Sequence, residues 1–152
     1  MHQVYTPPSV TLPELGVLIL EDNPRTQMRM AGHFDHYQYD HPAARRIKTH
    51  FESEERLALE HLVRGDYRAQ VILWDHSLFD DYTLKKILPR FKPVFKDSKI
   101  ILLTRSCDPN FKRKLTRAGV GYLHKDHHMD PDAFKDLPEY VLRAGSAHQP
   151  KK

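Results

Sequence analysis

Residues 71–75 read Val71-Ile72-Leu73-Trp74-Asp75, four apolar side chains followed directly by a carboxylate. Four apolar residues in succession are typical of a strand that is buried on both faces, as in the middle of a parallel sheet. Three more short segments each stop at a polar residue: Leu18-Ile19-Leu20 before Glu21-Asp22, Ile100-Ile101-Leu102-Leu103 before Thr104, and Gly121-Tyr122-Leu123-His124 before Lys125. Because parallel strands end at the same edge of a sheet, these polar groups are predicted to lie together there.

Helix signals lie between these segments, so strands and helices alternate along the chain. The predicted strands cover residues 16–21, 45–51, 70–75, 99–104 and 120–124. Each strand is followed by residues that cap or open a helix: Asn23-Pro24, Ser53, Asp80 or Asp81, Asp108-Pro109, and Asp130-Pro131.

Several residues predict where these helices end or bend. The first helix is expected to run to about residue 37, with Met28 on its apolar face. Gly65 and Gly119 are predicted to end the second and fourth helices, because glycine readily adopts the left-handed conformation found at helix C-termini. Pro138 is expected to kink the last helix, since proline lacks a backbone donor and crowds the preceding turn.

Five successive βα units predict an α/β fold. Right-handed crossovers give a three-layer, doubly wound (βα)5 arrangement. We favour the flavodoxin-like type, with a five-stranded parallel sheet of order 2-1-3-4-5 and the ligand crevice between strands 1 and 3. The length of 152 residues suits one domain of ordinary size. We expect a Pro-containing N-terminal lead-in over residues 1–15, the domain over 16–144, and a flexible C-terminal tail over 145–152.

The composition is that of a globular protein, with 39% hydrophobic and 29% charged residues. No stretch approaches the roughly 20 apolar residues of a membrane helix, and the N-terminus lacks the pattern of a secretory signal. A single cysteine, Cys107, fits a reducing compartment, so we expect a cytoplasmic protein without a membrane partner. The net charge of +4 is spread out, and Lys112-Arg113-Lys114 is interpreted as a solvated helix face, so nucleic acid is not the expected partner.

The polar residues at the strand ends form a set with a definite chemistry. They are three carboxylates, a hydroxyl and an ammonium: Glu21, Asp22, Asp75, Thr104 and Lys125. Carboxylate oxygens are the hard ligands that Mg²⁺ takes, and a lysine ammonium is a compact charge suited to a phosphoryl oxygen. The set can therefore hold a divalent cation and a phosphoryl group.

With these residues in this order, each after the expected strand, the chain resembles the receiver domain of two-component response regulators, the CheY-like family, over about residues 16–144. The resemblance implies a stand-alone, Mg²⁺-dependent receiver that accepts a phosphoryl group on Asp75 from a histidine kinase or a phosphotransfer protein. It implies signalling by changed protein–protein contacts near Arg117, Tyr122 and His124. It implies that the protein is a phosphoacceptor and not an enzyme, although Mg²⁺-dependent self-phosphorylation and self-dephosphorylation are compatible with this role.

The resemblance also assigns the metal ligands. Glu21, Asp22 and Asp75 are expected to hold Mg²⁺, with Asp22 and Asp75 as direct ligands and Glu21 acting through water. A backbone carbonyl near Ser77 is expected to supply a further oxygen.

Three more residues are expected to respond to the phosphoryl group. Thr104 and Lys125 are expected to contact its oxygens. Tyr122 is expected to act as a switch that turns inward when phosphorylation draws Thr104 toward the site. The alternative interpretation of Tyr122 is a core tyrosine at the buried edge of the sheet.

Two positions depart from the pattern of the family. Arg105 follows Thr104 where a small residue is usual, and it is expected either to cover the pocket partly or to pair with the phosphorylated side chain. Asp126 follows Lys125 where a proline is usual. The alternative function is therefore a degenerate receiver that acts as a phosphorylation-independent protein-binding module.

Other kinds of site are disfavoured. A haloacid-dehalogenase-like phosphohydrolase needs a second aspartate two residues after the first, and this chain has Ser77 there. Zinc needs three or four well-placed ligands, so His124, His127 and His128 are interpreted as solvated loop residues. Cys107 has no obvious histidine partner in the sequence, which argues against a nucleophilic role.

Overall fold

The computed structural model describes residues 14–124 and 134–147. Its strands are β1 (Leu15–Leu20), β2 (Ile47–Glu52), β3 (Val71–Asp75), β4 (Lys99–Thr104) and β5 (Gly121–His124). All pairings between them are parallel, and the order across the sheet is β2-β1-β3-β4-β5. The predicted α/β fold and strand order are confirmed, and each predicted strand lies within about two residues of the observed one.

Helices cover both faces of this sheet. They are α1 (Pro24–Asp40), α2 (Glu55–Arg64), α3 (Leu88–Arg90), α4 (Lys92–Phe95), α5 (Pro109–Arg117) and α6 (Leu137–Ala147). A 3₁₀ turn at His76–Leu78 follows β3, and a π-helical segment at Thr83–Ile87 precedes α3. Among the helices of the described residues, none has both the length and the apolar character needed to cross a bilayer.

The sheet is the middle one of three layers, because alternate residues of each strand point to opposite faces. On one face, Leu18, Ile72 and Leu102 belong to a core that is closed by residues of α2, α3, α4 and α5. On the other face, the core is closed by α1 and α6. Each of residues 71–74 in β3 is 0% exposed, which confirms a strand buried on both faces.

Local signals set the ends of several helices as predicted. The Asn23 side chain accepts hydrogen bonds from the backbone N–H groups of Arg25 and Thr26 and caps α1. Asp108 caps α5 in the same way, accepting from the N–H of Asn110 at 3.0 Å. Gly65 after α2 and Gly119 after α5 have φ values of 76° and 78°, the left-handed conformation that ends a helix.

Four predictions about the helices are wrong. The N-cap of α2 is Glu54 rather than Ser53, and no side chain caps it. The helix α1 continues to Asp40, and Met28 lies on its solvent face, 76% exposed. The helix α6 begins at Leu137, so Pro138 lies in its first turn, where a missing N–H breaks no intrahelical hydrogen bond. The predicted cap at residues 130–131 lies outside the described residues.

The wide turn before α3 has a cause in the sequence. In the π-helical segment the N–H of Leu88 donates to the carbonyl of Thr83, five residues earlier. Pro89 follows directly, and its ring would clash with the carbonyl four residues before it in a regular α-helix. A wider turn relieves that clash and carries the chain into α3.

Candidate functional site

Three carboxylates meet at the carboxyl edge of the sheet. Glu21 and Asp22 directly follow β1, and Asp75 ends β3, the neighbouring strand. One carboxylate oxygen from each of the three lies within 4.8 Å of the others. Glu21 and Asp75 are each 4% exposed, whereas Asp22 faces solvent. The predicted gathering of these three acids at one edge is therefore present in the structure.

The parallel register and a tight turn bring the acids together. Leu20 of β1 pairs with Trp74 of β3, so the residues that follow them emerge side by side. The backbone N–H of Glu21 donates to the carbonyl of Glu52 in β2 at 3.0 Å. The Glu21 carboxylate accepts a hydrogen bond from the backbone N–H of Asn23 at 3.0 Å. Glu21 is thus fixed by the turn that also starts α1.

Positive charge lies on the rim of this acidic group. A cleft of about 580 Å³ contains the three acids in its lining. The rest of the lining consists of polar and aromatic residues from the start of α1, from the ends of β3 and β4, and from the segment just before α6. Two arginines, Arg29 and Arg105, contribute to the same lining. Arg105 is exposed and lies in the lining of the cleft, so both of its expected roles stay predictions.

The donor set of the cleft suits a hard divalent cation. Two nearly buried carboxylates beside a third repel one another in a medium that screens charge poorly, and a cation between them offsets this repulsion. Mg²⁺ takes oxygen ligands and commonly uses one or two carboxylates together with water and substrate oxygens. Ser77, expected to contribute a backbone carbonyl, also donates its hydroxyl hydrogen to Oδ2 of Asp75.

Thr104 ends β4 and is fully buried, with a partner that sequence reasoning missed. Its Oγ1 lies 2.6 Å from Nδ1 of His76 and accepts a hydrogen bond from the N–H of Ser106 at 2.9 Å. The His76 ring stacks on Phe111 of α5, with centroids 4.8 Å apart and planes 10° apart. The contact follows from the observed strand register: Asp75 pairs with Leu103, so the next residues, His76 and Thr104, lie opposite each other.

The other predicted phosphoryl-responsive residues lie on or beyond β5. Tyr122 is 38% exposed, so it is not a buried core residue in this conformation. The Nζ atom of Lys112 lies 4.9 Å from the centre of the Tyr122 ring, a cation–π contact. Lys125 and Asp126 lie outside the described residues, as do His127 and His128, so the contact of Lys125 with the site stays a prediction.

Cys107 does have a histidine neighbour, and the prediction that it lacks one is wrong. Its Sγ lies 3.3 Å from Nε2 of His124, because β5 pairs His124 with Thr104 at the end of β4. The same nitrogen lies 3.1 Å from the carbonyl oxygen of Arg105. Within residues 14–124 and 134–147, the acids of the cleft form the only group of three or more potential ligands close enough to share a metal ion.

The architecture resembles that of solved receiver domains. The isolated receiver domain of RcsB from Salmonella enterica serovar Typhimurium, in its apo form, superposes with a TM-score of 0.66 at 19% identity, over 88% of this chain and 90% of that one. A response regulator from Thermotoga maritima gives 0.65 at 17% identity, over 88% and 98%. The chemotaxis response regulator CheY4 of Vibrio cholerae gives 0.56 at 19% identity, over 87% and 98%.

At these identities the similarity establishes the fold. The chain has the fold of response-regulator receiver domains, with the same five-stranded parallel sheet order. No family model matches the sequence, and no curated protein matches it in sequence.

Proposed function

We propose that this chain, which has the receiver fold, accepts a phosphoryl group on Asp75 from a histidine kinase or a phosphotransfer protein and signals through changed protein–protein contacts. The observation that carries the proposal is the convergence of carboxylate oxygens from Glu21, Asp22 and Asp75 within 4.8 Å at the carboxyl edge of the sheet. Open α/β sheets place their ligands at this edge, beside the strand where the order reverses.

Transfer forms a bond between a carboxylate oxygen of Asp75 and phosphorus, while the bond from phosphorus to the donor's imidazole nitrogen breaks. The donor nitrogen keeps the electron pair and takes up a proton from solvent. Because the nucleophile and the phosphoryl group are both anionic, catalysis consists mainly of positioning and charge neutralisation. Asp75 is 4% exposed, and its carboxylate accepts a hydrogen bond from the Ser77 hydroxyl, which restricts its movement.

The residues of the cleft divide the remaining tasks. Glu21, Asp22 and Asp75, with a carbonyl near Ser77, would hold Mg²⁺, which neutralises charge on the transferring phosphoryl oxygens when it is bound. Arg105 on the cleft lining adds positive charge near the same place. We assign contact with the phosphoryl oxygens to Thr104 and Lys125, and the conformational response to Tyr122.

A small phosphodonor tests the assignment of Asp75. Acetyl phosphate with Mg²⁺ is expected to add the mass of one phosphoryl group to the intact protein. Asp75→Asn is expected to abolish this gain, because the amide is not a nucleophile for phosphorus. Asp97→Asn, which removes an exposed carboxylate beyond α4, is the matched control and should react like the wild type. An Asp75→Asn variant that still gains the mass would refute the assignment.

A degenerate receiver that binds partners without phosphorylation is the second candidate. Two observations favour it: the Ser77 hydroxyl donates to the carboxylate of Asp75, and Thr104 is hydrogen-bonded to His76. The Asp75 carboxylate and the Thr104 hydroxyl therefore each already have a hydrogen-bond partner. A phosphohydrolase is less well supported, because Ser77 cannot serve as the acid that such chemistry needs.

Mg²⁺ binding separates the two candidates. Calorimetry is expected to detect one Mg²⁺ site in the wild type and in Asp97→Asn. Asp22→Asn is expected to weaken it by roughly tenfold or more, since it removes one charged oxygen ligand. The degenerate receiver predicts no Mg²⁺ heat in any of the three proteins, and no difference between them.

A further inference from the structure

We propose that His76 is a positioning residue that holds the Thr104 hydroxyl away from the phosphoryl site and so opposes the phosphorylated state. This inference rests on the proposed function, because it concerns how the same site is regulated. It begins from the hydrogen-bond pattern around one buried hydroxyl, in which Oγ1 of Thr104 lies 2.6 Å from Nδ1 of His76.

The direction of that hydrogen bond follows from counting donors and acceptors. The Thr104 oxygen accepts from the N–H of Ser106 at 2.9 Å, and the residue is 0% exposed. A hydroxyl has a single hydrogen, and a buried one seldom leaves it without an acceptor. Nδ1 of His76 lies within hydrogen-bonding reach of this hydroxyl, and we infer that Thr104 donates to it. His76 is then the neutral tautomer with its hydrogen on Nε2.

The acceptor is held in place from two sides. The His76 ring stacks on Phe111 of α5, nearly parallel at 10°. His76 also begins the 3₁₀ turn after β3, and the next residue in that turn, Ser77, donates its hydroxyl to Asp75. One short turn therefore engages both Asp75 and Thr104, so the two strand ends are linked through it.

A competition for one hydrogen follows from this arrangement. A phosphoryl group on Asp75 presents acceptor oxygens, and Thr104 has one hydrogen to donate. To donate to the phosphoryl group, Thr104 has to give up its bond to His76. The bond is thus present in the unphosphorylated state and absent in the phosphorylated one, so it favours the former.

Substitutions at His76 distinguish the effect of its Nδ1 acceptor from the effect of its ring packing. His76→Phe keeps an aromatic ring against Phe111 but removes Nδ1. The acetyl phosphate concentration that half-saturates Asp75, at saturating Mg²⁺, is expected to fall by about three- to tenfold, the range that corresponds to one hydrogen bond. His76→Asn restores an acceptor near the position of Nδ1 and is expected to return the wild-type value. His36→Phe, an exposed histidine of α1, is the control and should have no effect.

A double-mutant cycle shows whether the effect passes through Thr104. In a Thr104→Val background, His76→Phe is expected to change the half-saturating concentration by less than about twofold, because the shared hydrogen bond is already gone. An unchanged value for His76→Phe alone, or an effect that persists in the Thr104→Val background, overturns the inference. If His76→Phe fails to fold, His76→Leu carries the same expectation.

A measurement that needs no phosphoryl group keeps the two proposals distinguishable. Nitrogen NMR of the His76 side chain is expected to show an unprotonated Nδ1 whose chemical shift changes in Thr104→Val; a hydrogen on Nδ1 overturns the inference. Wild-type protein that reacts with acetyl phosphate while His76→Phe behaves identically refutes the role of His76 alone. Wild-type protein that never reacts refutes the proposed function, and the role of His76 with it.

Discussion

At the scale of single residues, a second buried hydroxyl, that of Thr83, lies between two possible acceptors. Thr83, at the start of the π-helical segment, is 1% exposed, and its Oγ1 lies 2.9 Å from Oδ1 of Asp80 and 3.1 Å from Oε2 of Glu55. One hydroxyl hydrogen serves one carboxylate at a time, so the Thr83 hydrogen bond only partly offsets the loss of hydration at Glu55. Burial, in turn, raises the pKa of Glu55 above its ordinary value.

The raised pKa of Glu55 predicts a pH-dependent stability. Because the folded state holds the Glu55 proton more tightly than the unfolded state, this group's favourable contribution is fully present below about pH 4.5 and is lost as the pH rises through the folded-state pKa. Glu55→Gln stays neutral throughout. Urea unfolding should give equal free energies for variant and wild type at about pH 4. Near pH 7 the variant should be more stable, by less than about 1 kcal/mol because the carboxyl is half-exposed.

The control for this prediction is Glu54→Gln, at the exposed residue just before Glu55. This variant should show no such pH-dependent gain. A gain of equal size in Glu54→Gln would place the effect at the N-terminus of α2 in general and would rule out Glu55 as its specific source.

At the scale of elements, the close approach of β1 to the segment before β3 depends on a missing side chain. A Cβ atom at Gly16 would lie 2.1 Å from the backbone carbonyl oxygen of Arg68. The N–H of Gly16 donates to Oε1 of Gln70 at 2.6 Å, and the N–H of Gln70 donates back to the Gly16 carbonyl at 2.9 Å. Since the obstructing atom belongs to the backbone, a side chain at Gly16 has to push the two segments apart.

Two glycine substitutions test this close packing of β1. Gly16→Ala is expected to lower the free energy of unfolding by about 1–3 kcal/mol, as overpacking of a core does. Gly32→Ala, in α1 and with nothing within 4 Å of its added Cβ, is expected to raise it by about 0.5–1 kcal/mol, because alanine favours a helix. Denaturant unfolding measures both, and equal stability of the two variants would contradict the packing described for β1.

The starts of helices were predictable where a capping residue directly precedes a proline. Asn23 and Asp108 precede a proline, and both cap their helices as expected. At the start of α2, Ser53 and Glu54 are adjacent polar residues, and the helix begins one residue later than predicted. A shift of one residue changes capping energy little, whereas the packing of Ala58 and Leu59 into the core fixes which residues face inward.

For the whole molecule, alternation and right-handed crossovers predicted a doubly wound parallel sheet, because they leave few arrangements of five βα units. They did not fix the strand order by themselves; 2-1-3-4-5 was favoured among the common doubly wound orders, and the structure has it. The meeting of Glu21, Asp22 and Asp75 followed from the common edge of parallel strands. The contact of His76 with Thr104 was not predicted. It depends on the exact register between β3 and β4, which packing of the entire sheet sets and no local pattern encodes.

Phosphoryl transfer to Asp75 is the central claim, and chemical mapping of the modified residue tests it most directly. After treatment with acetyl phosphate and Mg²⁺, borohydride reduces an acyl phosphate of aspartate to homoserine, which peptide mass spectrometry locates in the chain. We expect homoserine at position 75 alone, and only when Mg²⁺ is present. Homoserine at another aspartate, or none at position 75 in protein that has gained the phosphoryl mass, would contradict the claim.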